Sequence, residues 1–419
     1  MHHFNYRDNA LYCEDVAIQK IAEDIGTPFY LYSHATIKRH YTAFDDAFNG
    51  VDRLVCYSAK ANASLAILKL MKNMGSGLDI VSGGELYRGL AAGFTPDRIV
   101  YSGVGKRIDE IDYALNSDVL MFNVESFEEL KLIDKRAGIL KCKAPIAIRV
   151  NPDVDPKTHP YISTGLKKNK FGIDTLGALE GYKYANTLKN IRIIGIDCHI
   201  GSQITEVQPY ADALKSLITL FGELIKLGIE IKFLDMGGGL GITYDDETPP
   251  QLTEYARAIV DALEPTALKL ILEPGRVIVG NAGILVTRAL YRKLGGAKNF
   301  IIVDAGMNDL MRPALYQAYH AIQPVVLSDR EELVADVVGP ICESSDFLAQ
   351  DRRIAAVENG ALLAVMSAGA YSFAMASNYN SRPKVAEVMV SGGQYEVIRK
   401  RQGYPDLVDG ESVPSFISH

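Results

Sequence analysis

At 419 residues the chain outruns the roughly 250–300 residues over which a single hydrophobic core keeps growing, so two domains are expected. Apolar residues make up 48%, charged residues 23%, and the formal net charge is -7, a balance that argues against nucleic acid or an anionic membrane as partner. No apolar run reaches the ~18 residues of a membrane span, and the start, Met1-His2-His3-Phe4, lacks the apolar core of a secretory signal. The five scattered cysteines show no Cys-x-x-Cys spacing, which points to reduced thiols, a cytoplasmic location and no metal site.

Extended stretches come first, at 11–13 and 29–32, and a helix pattern follows at 34–48. From there a short apolar strand, a turn and an amphipathic helix recur. The strands fall at 54–58, 78–81, 99–102, 119–123, 146–150, 193–199, 232–236 and 269–272. Helix patterns between them include 85–92, 127–136, 210–227 and 254–263. This repeat is that of a (β/α)8 TIM-type barrel, although an open doubly wound sheet gives the same alternation. After Arg276 the texture changes. Segments 280–294, 299–304, 334–338 and 387–398 read as β-branched strands without regular helices between them, a mainly β C-terminal domain. The expected organisation is an N-terminal extended segment (1–33) packing with the β domain, an α/β barrel over 34–276 and the β domain over 277–419. One long Pro-, Lys- and Gly-rich stretch, 151–172, follows the fifth strand and is a candidate lid.

The chemically suggestive residues cluster at the C-terminal ends of these strands, where barrels build their sites. Lys60 closes the first, in Val55-Cys56-Tyr57-Ser58-Ala59-Lys60-Ala61-Asn62. Its flexible stem and shiftable pKa suit Schiff-base chemistry with a carbonyl group, but a lysine by itself is as readily a solvated surface residue. Asp79 ends the second strand and either orients the Lys60 ammonium or caps the helix that starts near Ser82. His199 ends the sixth, as a ring that stacks on a planar ligand or as a hydrogen-bonded core residue. Gly237-Gly238-Gly239 follows the seventh and offers backbone N–H groups to an anion, or forms a tight βα turn. Glu273-Pro274-Gly275-Arg276 ends the eighth, a carboxylate, a rigid turn and a guanidinium in four residues. A buried Glu273 would pair with a protonated pyridine nitrogen; the alternative is a strand-end ion pair.

Taken together and in this order, the segments resemble the fold-type III pyridoxal-phosphate decarboxylases, the family of diaminopimelate, ornithine and arginine decarboxylases, over nearly the whole chain. The resemblance implies that Lys60 carries pyridoxal 5'-phosphate and that His199 stacks on its ring. It further implies that Glu273 binds the pyridinium nitrogen, and that Gly238, Gly239 and Glu273, Pro274, Gly275 and Arg276 surround the cofactor and its phosphate. Gly339-Pro340-Ile341-Cys342-Glu343-Ser344-Ser345-Asp346 is similar to the family segment whose cysteine protonates the carbanion across a homodimer with shared sites; without that context Cys342 reads as a buried apolar thiol. Met311-Arg312-Pro313-Ala314-Leu315-Tyr316 resembles the segment that binds a far carboxylate in the diaminopimelate-specific branch, and Tyr371 matches a tyrosine that contacts substrate and cofactor. The implied reaction is decarboxylation of meso-2,6-diaminopimelate to L-lysine, the last step of lysine biosynthesis. Arg276, Arg312, Tyr316, Glu343 and Tyr371 would hold the amino-acid end that keeps its carboxylate. A decarboxylase of carboxynorspermidine or of the ornithine or arginine type, and a catalytically silent regulatory homologue, are the alternatives. Retention of Arg312, and of Lys60, Cys342 and Glu273, speaks against them.

Overall fold

The computed structural model describes residues 2–155, 170–263, 266–296 and 298–417. The chain divides into two compact units, residues 37–280 and residues 1–36 with 281–419. No helix among the described residues is long and apolar enough to cross a membrane. Of the candidate lid, residues 156–169 lie outside the described residues.

In residues 37–280, eight parallel strands among the described residues follow one another around a closed sheet. They are Arg53–Ser58, Gly77–Ile80, Ile99–Tyr101, Met121–Val124, Ala144–Asn151, Ile191–Asp197, Phe233–Asp235 and Lys269–Leu272. The last pairs with the first, and the fourth pairs with the fifth, so the ladder closes and the open-sheet alternative falls away. Helices Leu65–Asn73, Gly83–Ala92, Ile108–Ser117, Phe127–Leu140, Thr175–Ala185, Gln208–Lys226 and Leu252–Leu263 cover the outside. With a plug within and helices without, the fifth strand is buried along all eight residues, as parallel strands covered on both faces are. Two helix starts are fixed locally. The Ser82 and Ser126 hydroxyls accept from the N–H groups of Glu85 and Glu129, so serine, not Asp79, caps the helix after the second strand.

Leu54, Cys56, Val100, Met121, Ala147, Ile194 and Ile271 form one buried cluster that fills the barrel, with Phe233 packed against it. Two residues on from Cys56, Val100, Met121, Ala147, Phe233 and Ile271 come Ser58, Ser102, Asn123, Arg149, Asp235 and Glu273. A strand repeats its facing every second residue. The apolar plug is therefore succeeded, at the C-terminal ends, by a polar layer. Lys60 sits just past its strand in a short 3-10 turn, Ala59–Ala61, and His199 two residues past the sixth.

The unit of residues 1–36 and 281–419 is mainly β. Its large sheet runs in the order Phe347–Ala355, Glu332–Val338, Phe300–Val303, Gly283–Lys293, Phe29–Ser33, Ala386–Ser391, Gln394–Arg399. Phe29–Ser33 is thus central, antiparallel to Gly283–Lys293 on one side and parallel to Ala386–Ser391 on the other. A smaller antiparallel sheet of Phe4–Arg7, Ala10–Cys13 and Val16–Ala17 packs Phe4, Leu11, Cys13 and Val16 into the same core as Phe29, Leu31, Ile284, Val286 and Val388. Glu14 is buried but served by the Ser33 hydroxyl (2.7 Å) and the N–H groups of Ala35 (2.8 Å) and Gly392 (2.7 Å). Strand Phe347–Ala355 is absent from the sequence reading because Gln350, Asp351 and Arg353 face solvent and break its apolar run.

Candidate active site

At the C-terminal end of the barrel, Lys60 Nζ donates to Asp79 Oδ2 at 2.6 Å, and the same oxygen accepts from Ser58 Oγ at 2.5 Å. Asp79 is fully buried, whereas the Lys60 side chain keeps 31% of its exposure. A buried anion thus holds a reachable ammonium by its end. Ser58 N–H bonds the Pro274 carbonyl at 3.0 Å, tying the first strand to the turn after the eighth.

Deeper lies a carboxyl-rich layer. Glu273 is 3% exposed and accepts from Ser102 Oγ at 3.4 Å. Asn123 Nδ2 donates to Ser102 Oγ at 3.1 Å and to Asp235 Oδ2 at 3.2 Å, while the Gly237 N–H donates to Asp235 Oδ1 at 2.9 Å. Burial pushes Asp235 up from 3.8 to about 7, with the Asp197 charge adding to it. Burial likewise raises Glu273, followed by repulsion from Asp235 and Asp79, and raises Asp197, followed by Glu273. This layer keeps protons that exposed carboxyls would shed. His199 is driven the other way, by burial and then by the charges of Arg149 and Lys60. Its Nδ1 accepts from the Gly238 N–H at 3.2 Å, so the 3.8 Å approach of Glu273 Oε2 to that nitrogen is not an ion pair. The ring is a neutral plane.

The glycines answer to packing first. A Cβ on Gly238 would meet the Glu273 carbonyl oxygen at 2.1 Å, and one on Gly239 the Gly201 carbonyl oxygen at 2.5 Å. Because the Gly238 N–H is spent on His199, this residue acts on the site through that imidazole. Arg276, 5% exposed, donates to Tyr244 Oη at 2.7 Å and Ser202 Oγ at 2.9 Å. Lys60, Asp79, His199, Gly238, Gly239, Glu273, Pro274, Gly275 and Arg276 therefore share one end of one barrel.

The remaining expected site residues belong to the β unit. Arg312 and Tyr316 bound one short helix, Arg312–Tyr316, with the guanidinium carbon 5.9 Å from the Tyr316 ring centre. Arg312 is buried. Cys342 is an exposed free thiol whose N–H donates to Asn380 Oδ1 at 2.8 Å, so the buried-thiol alternative falls away. Glu343 is exposed as well. It accepts from Tyr379 Oη at 2.7 Å and Ser345 Oγ at 2.8 Å, and these two bonds hold it below the ordinary carboxylate range. Buried Asp346 organises this turn, accepting from the N–H groups of Met307 and Ile341, both at 2.6 Å. Tyr371 has a left-handed backbone, φ 54.

Ser102, Asn123, Arg149, Asp197 and Asp235 escaped the sequence reading. Their signal was the period of two: each of the first three, and Asp235, stands two residues after an apolar plug residue, at the end of its strand.

The sequence model of the pyridoxal-dependent decarboxylases, pyridoxal binding domain, matches residues 34–280, and the chain belongs to this family. More narrowly, it is 52% identical over 410 residues to the diaminopimelate decarboxylase of Aquifex aeolicus, covering 97% of each protein, and 51% identical to that of Haemophilus influenzae, covering 97% of this chain and 98% of the other. Among solved structures it resembles diaminopimelate decarboxylase from Helicobacter pylori complexed with L-lysine, at TM-score 0.91 and 45% identity over 94% of this chain and 98% of that one. The enzyme from M. jannaschii, also with L-lysine, superposes at TM-score 0.94 and 38% identity over 99% and 98%. The donor set fits pyridoxal phosphate: a reachable amine on a buried aspartate, a neutral imidazole plane, and a proton-bearing buried carboxyl.

Proposed function

We propose that this chain decarboxylates meso-2,6-diaminopimelate to L-lysine and CO2 with pyridoxal 5'-phosphate, the last step of lysine biosynthesis. The observation that carries the reading is the Lys60 ammonium held on buried Asp79 at the mouth of the barrel, in a chain half identical to diaminopimelate decarboxylases over almost its full length. When bound, the cofactor supplies an aldehyde for amines and an electron-withdrawing ring.

The chain supplies the rest. Lys60 Nζ would hold the aldehyde carbon, from the place that its bond to Asp79 gives it. Glu273 would hold the ring nitrogen from a site where burial already keeps a proton at its carboxyl, and His199 would lie against the ring face as an uncharged plane. Gly239 and the segment Glu273-Pro274-Gly275-Arg276 would surround the phosphate, while Gly238 fixes His199. At the substrate end that is spared, Arg276 and Arg312 donate to the carboxylate, Glu343 accepts from the ammonium, and Tyr316 and Tyr371 complete the contacts. Charge-assisted hydrogen bonds of this kind contribute about 1.5–3 kcal/mol each. An amino acid without the far carboxylate forgoes these charge-assisted bonds, and the site discriminates against it. Cys342 Sγ delivers a proton to the carbon that has lost CO2, from an exposed turn suited to reaching a second subunit; the working unit in this reading is a cytoplasmic homodimer with shared sites.

The test is a visible spectrum of the purified protein before and after meso-diaminopimelate, with lysine measured by chromatography. A coloured, cofactor-loaded protein that forms no lysine overturns the proposal.

A further inference from the structure

Arg312 meets an imidazole at its Nε edge. Its Nε donates to His320 Nε2 at 3.3 Å, and both side chains are buried, at 5% and 0% exposure. The other ring nitrogen, His320 Nδ1, lies 2.8 Å from the Met366 carbonyl oxygen. A carbonyl only accepts, so Nδ1 carries the hydrogen; an arginine Nε–H only donates, so Nε2 carries the lone pair. Among the two neutral tautomers and the cation, one form alone satisfies both partners. Its geometry is fixed from outside: Met366 N–H bonds the Ala321 carbonyl at 2.8 Å, next to the pairing of Ile322–Pro324 with Leu362–Val365. The His320 carbonyl in turn accepts from Arg352 Nη1 at 3.1 Å. The imidazole is clamped by its main chain and its ring at once.

We infer that His320 is a positioning residue for substrate specificity, fixing the Nε edge of Arg312 so that the guanidinium meets the spared carboxylate in one orientation. An acid at 320 would hold the arginine too, but would compete with a substrate carboxylate for its charge. A neutral acceptor aims the cation without neutralising it. The inference rests on the role given to Arg312 above.

Two amides of different reach test it. In His320→Asn the amide nitrogen stands near the Nδ1 position and keeps the Met366 bond, but the side chain no longer reaches Arg312. In His320→Gln the amide oxygen reaches the Nε2 position and accepts from Arg312. With the holoenzyme and meso-diaminopimelate, the asparagine variant is expected to raise KM roughly tenfold with kcat within about twofold. The inhibition constant of the product lysine should rise in parallel, and the glutamine variant should stay near the parent. In an Arg312→Gln background, His320→Asn should add less than about a twofold change, because its effect passes through the arginine. Equal KM values for the two amide variants, or effects that multiply independently of Arg312→Gln, overturn the inference. If Arg312→Gln itself leaves KM unchanged, the reading of Arg312 fails instead.

Discussion

The polar layer of the barrel and the turn that bears Cys342 achieve fixed chemistry by opposite means. Asp79, Asn123, Asp197, Asp235 and Glu273 are each no more than 3% exposed. Burial and mutual repulsion raise Asp197, Asp235 and Glu273, and hydrogen bonds from other strands orient Asp79 and Asp235. Cys342 and Glu343 stand in solvent, and two hydroxyl groups shift Glu343 below the ordinary carboxylate range. Groups of the first kind are coupled to folding; groups of the second kind are replaceable without disturbing the core. Chemistry that needs a low dielectric sits on the strands, and chemistry that needs reach sits on a loop.

That contrast can be broken most sharply at its two ends. Lys60→Ala is expected to abolish turnover, by about a thousandfold or more, together with the visible absorbance of the bound cofactor; a colourless variant that still makes lysine refutes the assignment. Cys342→Ala should lower kcat by about a hundredfold, within the range for a removed proton donor, with the absorbance and the melting temperature retained. Mixing the two variants should restore part of the activity if sites are shared between subunits, and well-formed mixed dimers without recovery would count against sharing.

The mildest effect is on the pH dependence of stability. Below about pH 4 Asp235 is protonated in the folded and unfolded chain alike. Above it the unfolded chain ionises first, because the folded group holds its proton up to about 7, so this residue's contribution to stability is lost as pH rises through that window. Asparagine does not titrate. Thermal unfolding of the cofactor-stripped protein should therefore show the parent losing stability relative to Asp235→Asn between about pH 4 and 7 and no further change above. A difference independent of pH would sink this account of the layer.

How far the sequence led differs between the regions for the same reason. Barrel strands read clearly because runs such as Leu270, Ile271 and Leu272 are buried on both faces, and their ends are marked by Lys60 and Glu273. Asn123, Asp197 and Asp235 were passed over because polar residues inside apolar strands look like interruptions until the barrel turns them to one centre. In the β unit, Phe347–Ala355 has its apolar run broken by exposed Gln350, Asp351 and Arg353, and Ile322–Pro324 and Leu362–Val365 are too short to stand out. His320 gave no signal, since its partner Met366 is remote in the chain and offers only a main-chain oxygen.

The central place of Phe29–Ser33 in its sheet has a consequence for biosynthesis. This strand leaves the ribosome before any strand of the barrel, yet its neighbours Gly283–Lys293 and Ala386–Ser391 are made only after the entire barrel. At about 5–20 residues per second, the nascent strand waits tens of seconds with both ladders open, exposed to chaperones or to another nascent copy.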